Sequence, residues 1–430
     1  MTVATRSSRG SGSTLGLLDL SDELLERILL HLPQDDVQFC VSLVCKRLHA
    51  VQRDSAALWA SVELYLGKYS RKLSSHRMLH WFQQRPTLSA LVVEVNRREC
   101  IPMVVALLNT VGPQLTRLQL CSSPMDWSDS SEEESDGEGS GGAAADQLAR
   151  QEVAQQRGQP CADHGAPLEP SIPAQPCLAG LTALRQLHYH NSEEATPPMG
   201  LVWLAGLTAL TLGGVTLPWA VAATATLRQL RRLTLFDGQK HWHGDTQAAT
   251  AVEQQVMEVA MQQLTALSAM LESLELRCMN VWKVPACWSA LSRLSALQLQ
   301  QRGMHTDDVR HVSGLASLRT LTLNGIWLRG PRLTPWLAAL PCLTALRVAF
   351  GEMQLEVGEL QALALLPHLR RLAVSVWTRR GMPDGDWARL QQACPRVTLE
   401  VVDCGMEKSL FFLHIFREQI RHGPRITAHV

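Results

Sequence analysis

Few residues of this chain have both the type and the spacing that catalysis or metal binding requires. The closest approach to a metal site is His241-Trp242-His243, a pair of imidazoles with no third ligand nearby in the sequence. The chain has no Gly-rich phosphate loop, no Gly-x-Ser-x-Gly elbow, and no paired acids at a strand end. We therefore predict no catalytic residue, no metal and no cofactor.

A second chemical feature is a group of serines in an acidic stretch after Leu120. Ser128, Ser130 and Ser131 lie among aspartates and glutamates, a setting that suits an acidophilic kinase of the casein type. Phosphate there would add negative charge to a segment already rich in it. The alternative is a solvated spacer. The stretch is rich in Glu, Gly and Pro as far as residue 177, a composition that predicts a disordered insertion.

Composition narrows the class of protein. Forty basic residues balance forty acidic ones, which argues against electrostatic binding to nucleic acid. No apolar run approaches the roughly 18 residues that a membrane span needs. The first residues are small and polar and read as a tail, not as a signal peptide. Eleven cysteines, an odd number without paired spacing, suggest reduced thiols and a cytoplasmic or nuclear location.

The elements that position all other residues come from a recurring phrase, Leu-x-x-Leu-x-Leu. Its clearest copy is Leu318-Arg-Thr-Leu321-Thr-Leu323, and its middle leucines recur at 210, 233, 274, 297, 321, 346 and 372. These steps of 23–26 residues, with one of 41, match the period of leucine-rich repeats, about 20–29 residues. We predict an α/β solenoid with parallel strands on the concave side and short helices or loops on the convex side.

The residues between the leucines are the candidates for binding a target protein. Side chains alternate along a strand, so these residues should project from the concave face. Arginine and aromatic residues dominate interface hot spots, which guides the choice among them. The predicted target-binding residues are Arg232, Phe236, Glu275, Arg277, Gln298, Gln300, Asn324, Arg347 and Trp377.

The first 65 residues have a helical pattern instead. Ser21 can cap a helix that begins at Asp22. The leucines and the isoleucine of this helix recur at helical spacing as far as Pro33. In a second helix Val37, Cys40, Val41 and Val44 are expected to share a face. A third helix is predicted around Ser55–Val62.

This module resembles the F-box. The resemblance rests on Leu20, the pair Asp22-Glu23, Leu24, Ile28, Leu32-Pro33, the run Ser42-Leu43-Val44-Cys45-Lys46-Arg47, and Leu58-Trp59. Two positions depart from the family pattern: Ser21 stands where proline is usual, and Leu48 where tryptophan is frequent. The resemblance implies docking to the Skp-type adaptor of a cullin–RING ubiquitin ligase, with helices laid into an apolar groove. The implied adaptor-binding residues are Leu20, Leu24, Leu25, Ile28, Leu29, Leu32, Pro33, Val44, Cys45, Leu48, Leu58 and Trp59. The alternative is that these apolar side chains pack inside the module itself and form its core.

These observations predict an ordered series of segments and a function. The predicted segments are a tail (1–14), the F-box-like module (15–65), a linker helix with first repeats (66–124), the insertion (125–177), repeats with a helical insertion near 237–270 (178–402), and a C-terminal cap (403–430). The predicted function is a non-catalytic substrate receptor that binds the adaptor, and through it cullin, and presents an unidentified target protein for ubiquitination and degradation. Binding to nucleic acid or membrane is not expected. The alternative is a leucine-rich-repeat scaffold with no role in ubiquitin transfer.

Overall fold

The described part of the chain contains one parallel sheet. The computed structural model describes residues 17–32, 36–66, 75–85, 87–96, 100–122, 178–191, 198, 200–236, 251–267, 269–278, 283–304, 306–326, 333–349, 357–375 and 383–402. Twelve strands follow one another in chain order, and each pairs with its predecessor in parallel. They are β1 Ser61–Leu66, β2 Ala90–Val95, β3 Arg117–Ser122, β4 Gln186–Asn191, β5 Ala209–Gly213, β6 Arg232–Phe236, β7 Ser273–Cys278, β8 Ala296–Met304, β9 Thr320–Ile326, β10 Ala345–Ala349, β11 Arg371–Ser375 and β12 Thr398–Val402.

The repeated leucines hold this sheet in register. Leu274 of β7 pairs with Leu297 of β8, which pairs with Leu321 of β9. Each of these three side chains is at most 1% exposed, so equivalent leucines form continuous buried rows. Because side chains alternate, the residues between them project from the other side, which we call the open face. This arrangement confirms the predicted leucine-rich-repeat solenoid.

Three of the described helices precede β1, and the others connect strands and cover the buried face. They are α1 Asp22–Leu29, α2 Ser42–Val44, α3 Lys46–Asp54, α4 Ser75–Gln83, α5 Ile101–Val111, α6 Leu217–Thr224, α7 Ala251–Gln263, α8 Thr334–Leu337, α9 Val357–Ala364 and α10 Asp384–Ala393. A π-helical turn, Asp36–Val41, precedes α2, and single 3-10 turns such as Ala286–Ala290 replace helices in other repeats. None of the helices described is long and apolar enough to cross a membrane.

Several predicted elements are present. Helices α4 and α5 lie in the segment predicted to hold a linker helix and the first repeats (66–124), and the helical insertion predicted near 237–270 contains α7 with a following 3-10 turn. The acidic insertion falls between two paired strands, since Leu118 of β3 pairs with Leu187 of β4. The insertion itself, the N-terminal tail, His241, His243 and the predicted cap around Ser409–Arg421 lie outside the described residues. The segment boundaries remain predictions.

The helix predicted around Ser55–Val62 is wrong. A turn follows α3, and β1 begins at Ser61, inside the segment assigned to the helical module. Val62, Leu64 and Leu66 are buried at every second position, and β1 pairs in parallel with β2 over six residues. Period-two burial with a neighbouring strand therefore overrides the local helical signal. The third helix of the module is α3, which lies earlier in the chain.

One buried junction joins the helical module to the sheet. The indole N–H of Trp59 donates to the carbonyl oxygen of Gln52 at 2.6 Å, and the ring is 1% exposed. The guanidinium of Arg85 lies 4.7 Å from the ring centroid of Trp59 and 5.0 Å from that of Trp81. Arg85 also donates to the carbonyl oxygen of Arg53 at the end of α3. A single hydrophobic core therefore runs from α1 into the repeats.

Replacing Trp59 with alanine should lower the free energy of unfolding by about 3–5 kcal/mol, because it removes a fully buried aromatic side chain. Urea unfolding followed by circular dichroism measures this change. The matched control is Trp219→Ala, since Trp219 is 63% exposed and should change stability by no more than about 0.5 kcal/mol. Equal losses of unfolding free energy in the two variants would contradict the role of Trp59 in the junction.

Candidate functional site

Burial divides the predicted adaptor-binding residues into two sets. Leu25, Leu29, Leu48, Leu58 and Trp59 belong to the hydrophobic core. Leu20 and Cys45 are half-buried against that core, and Pro33 lies outside the described residues. The exposed members are Leu24, Ile28, Leu32 and Val44. Among the described members, these four exposed side chains can contact a partner without unpacking the protein.

The two faces of α1 explain the division. Leu25 and Leu29 lie one helical turn apart and are buried, whereas Leu24 and Ile28 lie one turn apart on the exposed side. The helix begins at Asp22 as predicted. However, the side chain of Ser21 accepts no capping hydrogen bond. The pKa of the Glu23 carboxyl is lowered, first by its own backbone N–H and then by the hydroxyl of Ser21.

The side chains of the second helical segment do not all share one face, contrary to what their spacing predicts. Val37 and Val41 are buried as expected, but Cys40 is exposed and Val44 is 68% exposed. The π-helical turn Asp36–Val41 has more residues per turn than an α-helix, which rotates the following residues away from the expected face. Leu43 beside Val44 is 83% exposed and was not among the predicted site residues. Its position in the Ser42–Arg47 run was the available signal.

Exposed apolar side chains are concentrated in this module. We call the following residues the N-terminal apolar set: Leu17, Leu24, Ile28, Leu30, Leu32, Leu43 and Val44. An ion pair between Arg47 of α3 and Asp22, at 2.7 Å, holds the start of α1. Arg47 also donates to the carbonyl oxygen of Leu20. The helix that carries Leu24 and Ile28 is thus fixed by core packing on one side and by polar contacts at its start.

The open face carries the predicted target-binding residues. Arg232 and Arg347 are exposed, and Trp377 lies outside the described residues. The others are half-buried: Phe236, Glu275, Arg277, Gln298, Gln300 and Asn324. The described ones alternate with the buried leucines along their strands.

A connected polar and aromatic cluster lies on β6 and β7. The guanidinium of Arg277 lies 4.7 Å from the ring centroid of Phe236. Arg277 Nε donates to Glu275 Oε1 at 2.6 Å, and the Thr234 hydroxyl donates to Glu275 Oε2 at 3.3 Å. Stacking and hydrogen bonds therefore fix the orientation of Arg277. The sequence predicted these residues individually but not their mutual contacts.

Two histidines of β4 extend this surface and were not among the predicted site residues. Burial, and secondarily the nearby His190, lower the pKa of His188 to about 4, and burial also lowers the pKa of His190. A Cβ atom at Gly213 of β5 would lie 2.3 Å from His190 Nδ1, so only glycine lets the imidazole lie across the neighbouring strand. Both imidazoles are uncharged at neutral pH.

The described residues of the open face can take part in non-covalent interactions with a partner. Burial raises the pKa of the Cys121 thiol, also on the open face, to about 12, so this sulfur stays protonated at neutral pH. In the part of the chain that the structure describes, no three His, Cys, Asp or Glu side chains are grouped to hold a metal ion. Stacking, hydrogen bonding and ion pairing are the interactions that the open face can make with a partner.

The lowered pKa of His188 predicts a pH dependence of stability. The ordinary pKa of histidine is 6.5 and that of His188 is about 4, so the unfolded chain binds more protons between these values. Stability should therefore fall as the pH falls from about 6.5 towards 4. One group contributes at most about 1.4 kcal/mol per pH unit, and less here because the side chain is only half-buried.

We expect His188→Gln to lose less stability than the unmodified protein between pH 7 and pH 5, by about 1 kcal/mol. Urea unfolding at both pH values measures the difference. His368→Gln, which replaces an exposed histidine, is the control. Identical pH dependence in the His188 variant and the unmodified protein would contradict the prediction.

Comparisons with known proteins bear on the family. Residues 17–56 match the family model of the F-box domain. No curated protein sequence matches the chain. Among solved structures, internalin C2 of Listeria monocytogenes is 19% identical, with a TM-score of 0.30, over 46% of this chain and 73% of that chain. Internalin InlF of the same bacterium is 13% identical, with a TM-score of 0.36, over 75% of this chain and 78% of that chain.

The plant peptide hormone receptor RGFR1, solved in complex with RGF2, is 12% identical, with a TM-score of 0.35. That match covers 80% of this chain and 43% of the receptor chain. The leucine-rich-repeat assignment rests on the strand register and buried leucine rows of this chain itself. The chain therefore carries an F-box domain at residues 17–56, followed by leucine-rich repeats.

Proposed function

We propose that this protein is a substrate receptor of a Skp–cullin–F-box ubiquitin ligase. The observation that carries the proposal is the N-terminal apolar set, exposed on an F-box domain whose opposite face is packed into the repeats. In this role the F-box binds a Skp-type adaptor and through it cullin, while the open face binds a target protein. The target is then ubiquitinated and degraded.

Energetics favour adaptor binding through the exposed residues. Fully burying one Leu or Ile side chain stabilises a contact by about 1.5–3 kcal/mol. Leu24, Ile28, Leu43 and Val44 already lie in water, so a partner gains this energy without disrupting the core. A groove that accepts one face of α1 and the residues around Leu43 is the complement of this arrangement. The buried residues, such as Leu25 and Trp59, act by holding α1 in place.

Target binding is proposed for the open face. Arg277, stacked on Phe236 and bonded to Glu275, is an oriented side chain of the kind found at interface hot spots. Holding this residue in place before binding reduces the entropy lost on association. The uncharged imidazoles of His188 and His190 provide hydrogen-bonding groups without a net charge.

The chain's contribution to ubiquitin transfer is positional. A receptor that holds the target near the ubiquitin-carrying subunit raises the effective concentration of the reacting groups. The continuous core between F-box and repeats supports this role, because the adaptor-binding and target-binding surfaces belong to one packed structure. No catalytic residue, metal or cofactor is assigned to this chain. A cytoplasmic or nuclear location, and phosphorylation of Ser128, Ser130 or Ser131, are further parts of the proposal.

The double substitution Ile28→Ala with Leu43→Ala should weaken binding to a Skp-type adaptor at least tenfold. Each truncation removes apolar area that the complex would bury, and a tenfold change corresponds to about 1.4 kcal/mol. Isothermal titration with purified adaptor measures the affinity. Both residues are exposed, so the circular dichroism spectrum and the unfolding midpoint should remain unchanged.

The control is Val202→Ala with Leu365→Ala, which truncates two exposed apolar residues in the repeats. Adaptor affinity should be retained in this variant. If the unmodified chain fails to bind the adaptor, or if both double variants bind it equally well, the receptor proposal is wrong and the scaffold alternative is favoured.

A further inference from the structure

Arginines are concentrated along one edge of the sheet. We define the strand-start edge as the first residue of each strand from β3 to β12 together with the four residues before it. These windows contain ten arginines, no lysine and a single acid, Glu272. The arginines are Arg117, Arg185, Arg228, Arg231, Arg232, Arg293, Arg319, Arg370, Arg371 and Arg396. Because the whole chain has zero net charge, this edge is a local excess of positive charge.

Most of this charge is unbalanced. All ten arginines are exposed. Among the described residues, only Arg231 with Glu272, at 3.3 Å, and Arg371 with Glu400, at 2.9 Å, form ion pairs within this group. Others donate to uncharged groups: Arg185 to the carbonyl oxygen of Gly206, for example. The edge thus presents guanidinium groups whose charge the described part of the chain does not neutralise.

A groove lies within this edge. It has a volume of about 430 Å³ and is lined by Glu272, Arg293, Ser295, Ser317, Arg319 and Cys342. Arg293 is held by donating to the carbonyl oxygen of Ala269 at 3.3 Å. The hydroxyls of Ser295 and Ser317 donate to backbone carbonyl oxygens of the preceding repeat. Two arginines and two oriented hydroxyls therefore converge on one concave site.

The chemistry of the edge favours carboxylates. Guanidinium groups bind carboxylates through two parallel hydrogen bonds, which lysine cannot do, and the edge contains arginine alone. Arg293 and Arg319 precede neighbouring strands, which lie about 4.8 Å apart, and glutamates at alternate positions of an extended peptide lie about 6.6 Å apart. The long side chains of arginine and glutamate can span this difference. Glu272 interrupts the row. Glu272 also lines the groove, and its ion pair with Arg231 partly offsets its charge. A peptide can place an uncharged residue opposite it.

We propose that the strand-start edge binds an acidic segment of the target protein, with Arg293 and Arg319 holding carboxylates in the groove. This inference rests on the proposed function, since it specifies the kind of target that the receptor presents. The target would then contact two regions of this protein. The strand-start edge would bind the acidic side chains of the target, and the Phe236–Arg277 cluster of the open face would bind neighbouring residues of the target.

Fluorescence anisotropy with the full chain tests the proposal. The probe is a fluorescein-labelled short peptide of alternating glutamate and serine. The unmodified protein should bind it, more weakly as salt rises from about 50 to about 200 mM. Arg293→Gln with Arg319→Gln should reduce the affinity at least tenfold. Arg293→Lys with Arg319→Lys should recover only part of it, because lysine keeps the charge and loses the paired hydrogen bonds.

The matched control is Arg27→Gln with Arg310→Gln, which removes two exposed arginines away from this edge and should leave peptide affinity unchanged. Equal losses in the two glutamine variants would overturn the proposal, and so would tighter binding of a DNA duplex than of the peptide. A large gain in affinity after Asp126–Glu138 is made neutral would assign the edge to the chain's own acidic stretch and overturn the target assignment.

Adaptor titration of the Arg293→Gln/Arg319→Gln variant separates this inference from the receptor proposal. In this variant, unchanged adaptor affinity together with lost peptide binding supports both. In the unmodified chain, absent adaptor binding with peptide binding intact contradicts the receptor function and removes the target role, whereas absent peptide binding with adaptor binding intact contradicts only the acidic-segment inference.

Discussion

The packing of leucines between neighbouring strands is the interaction on which the rest of this structure depends. A single strand cannot bury Leu274 or Leu321; each is enclosed only because equivalent residues of the adjoining strands lie beside it in register. A sheet built in this way exposes apolar surface wherever it begins. The F-box helices and Trp59 cover the sheet at β1, and Arg85 packs against Trp59 and Trp81 at that junction. The F-box is therefore part of the same core as the repeats.

Because of this packing, the residues that hold the structure together are different from the residues that are exposed at its binding surfaces. Leucines of the repeats, and Leu25, Leu29 and Leu48 of the F-box, are buried and hold the structure. The residues left at the surface differ sharply between the two regions. The F-box presents Leu24, Ile28 and Leu43, whereas the open face and the strand-start edge of the repeats present arginines, histidines and amides. An apolar surface suits a stable contact with a constant partner, while a polar surface with oriented arginines suits discrimination between targets.

Much of the fold could be predicted from the sequence, because the leucine spacing specifies both the strands and the side that they bury. The predictions of local structure are wrong where strand pairing or an irregular helical turn determines the conformation. Residues near Ser61 resemble a helix locally, and only pairing with β2 makes them a strand. α-Helical spacing predicts that Val44 shares a face with Val37 and Val41, but the π-helical turn changes the rotation per residue and leaves Val44 exposed. The lowered pKa of His188 could not be predicted either, since burial in the assembled sheet and the neighbouring His190 cause it.

Proximity labelling in cells tests the central claim most directly, comparing the full chain with its Ile28→Ala/Leu43→Ala variant. Deleting the first 65 residues would be a poor comparison, because the deletion removes most of β1 and the core around Trp59. We predict that labelling of the Skp-type adaptor and cullin is lost in the variant while labelling of other partners is retained. An adaptor and cullin signal that is equal in the two proteins, or absent from both, would contradict the assignment of a ligase receptor.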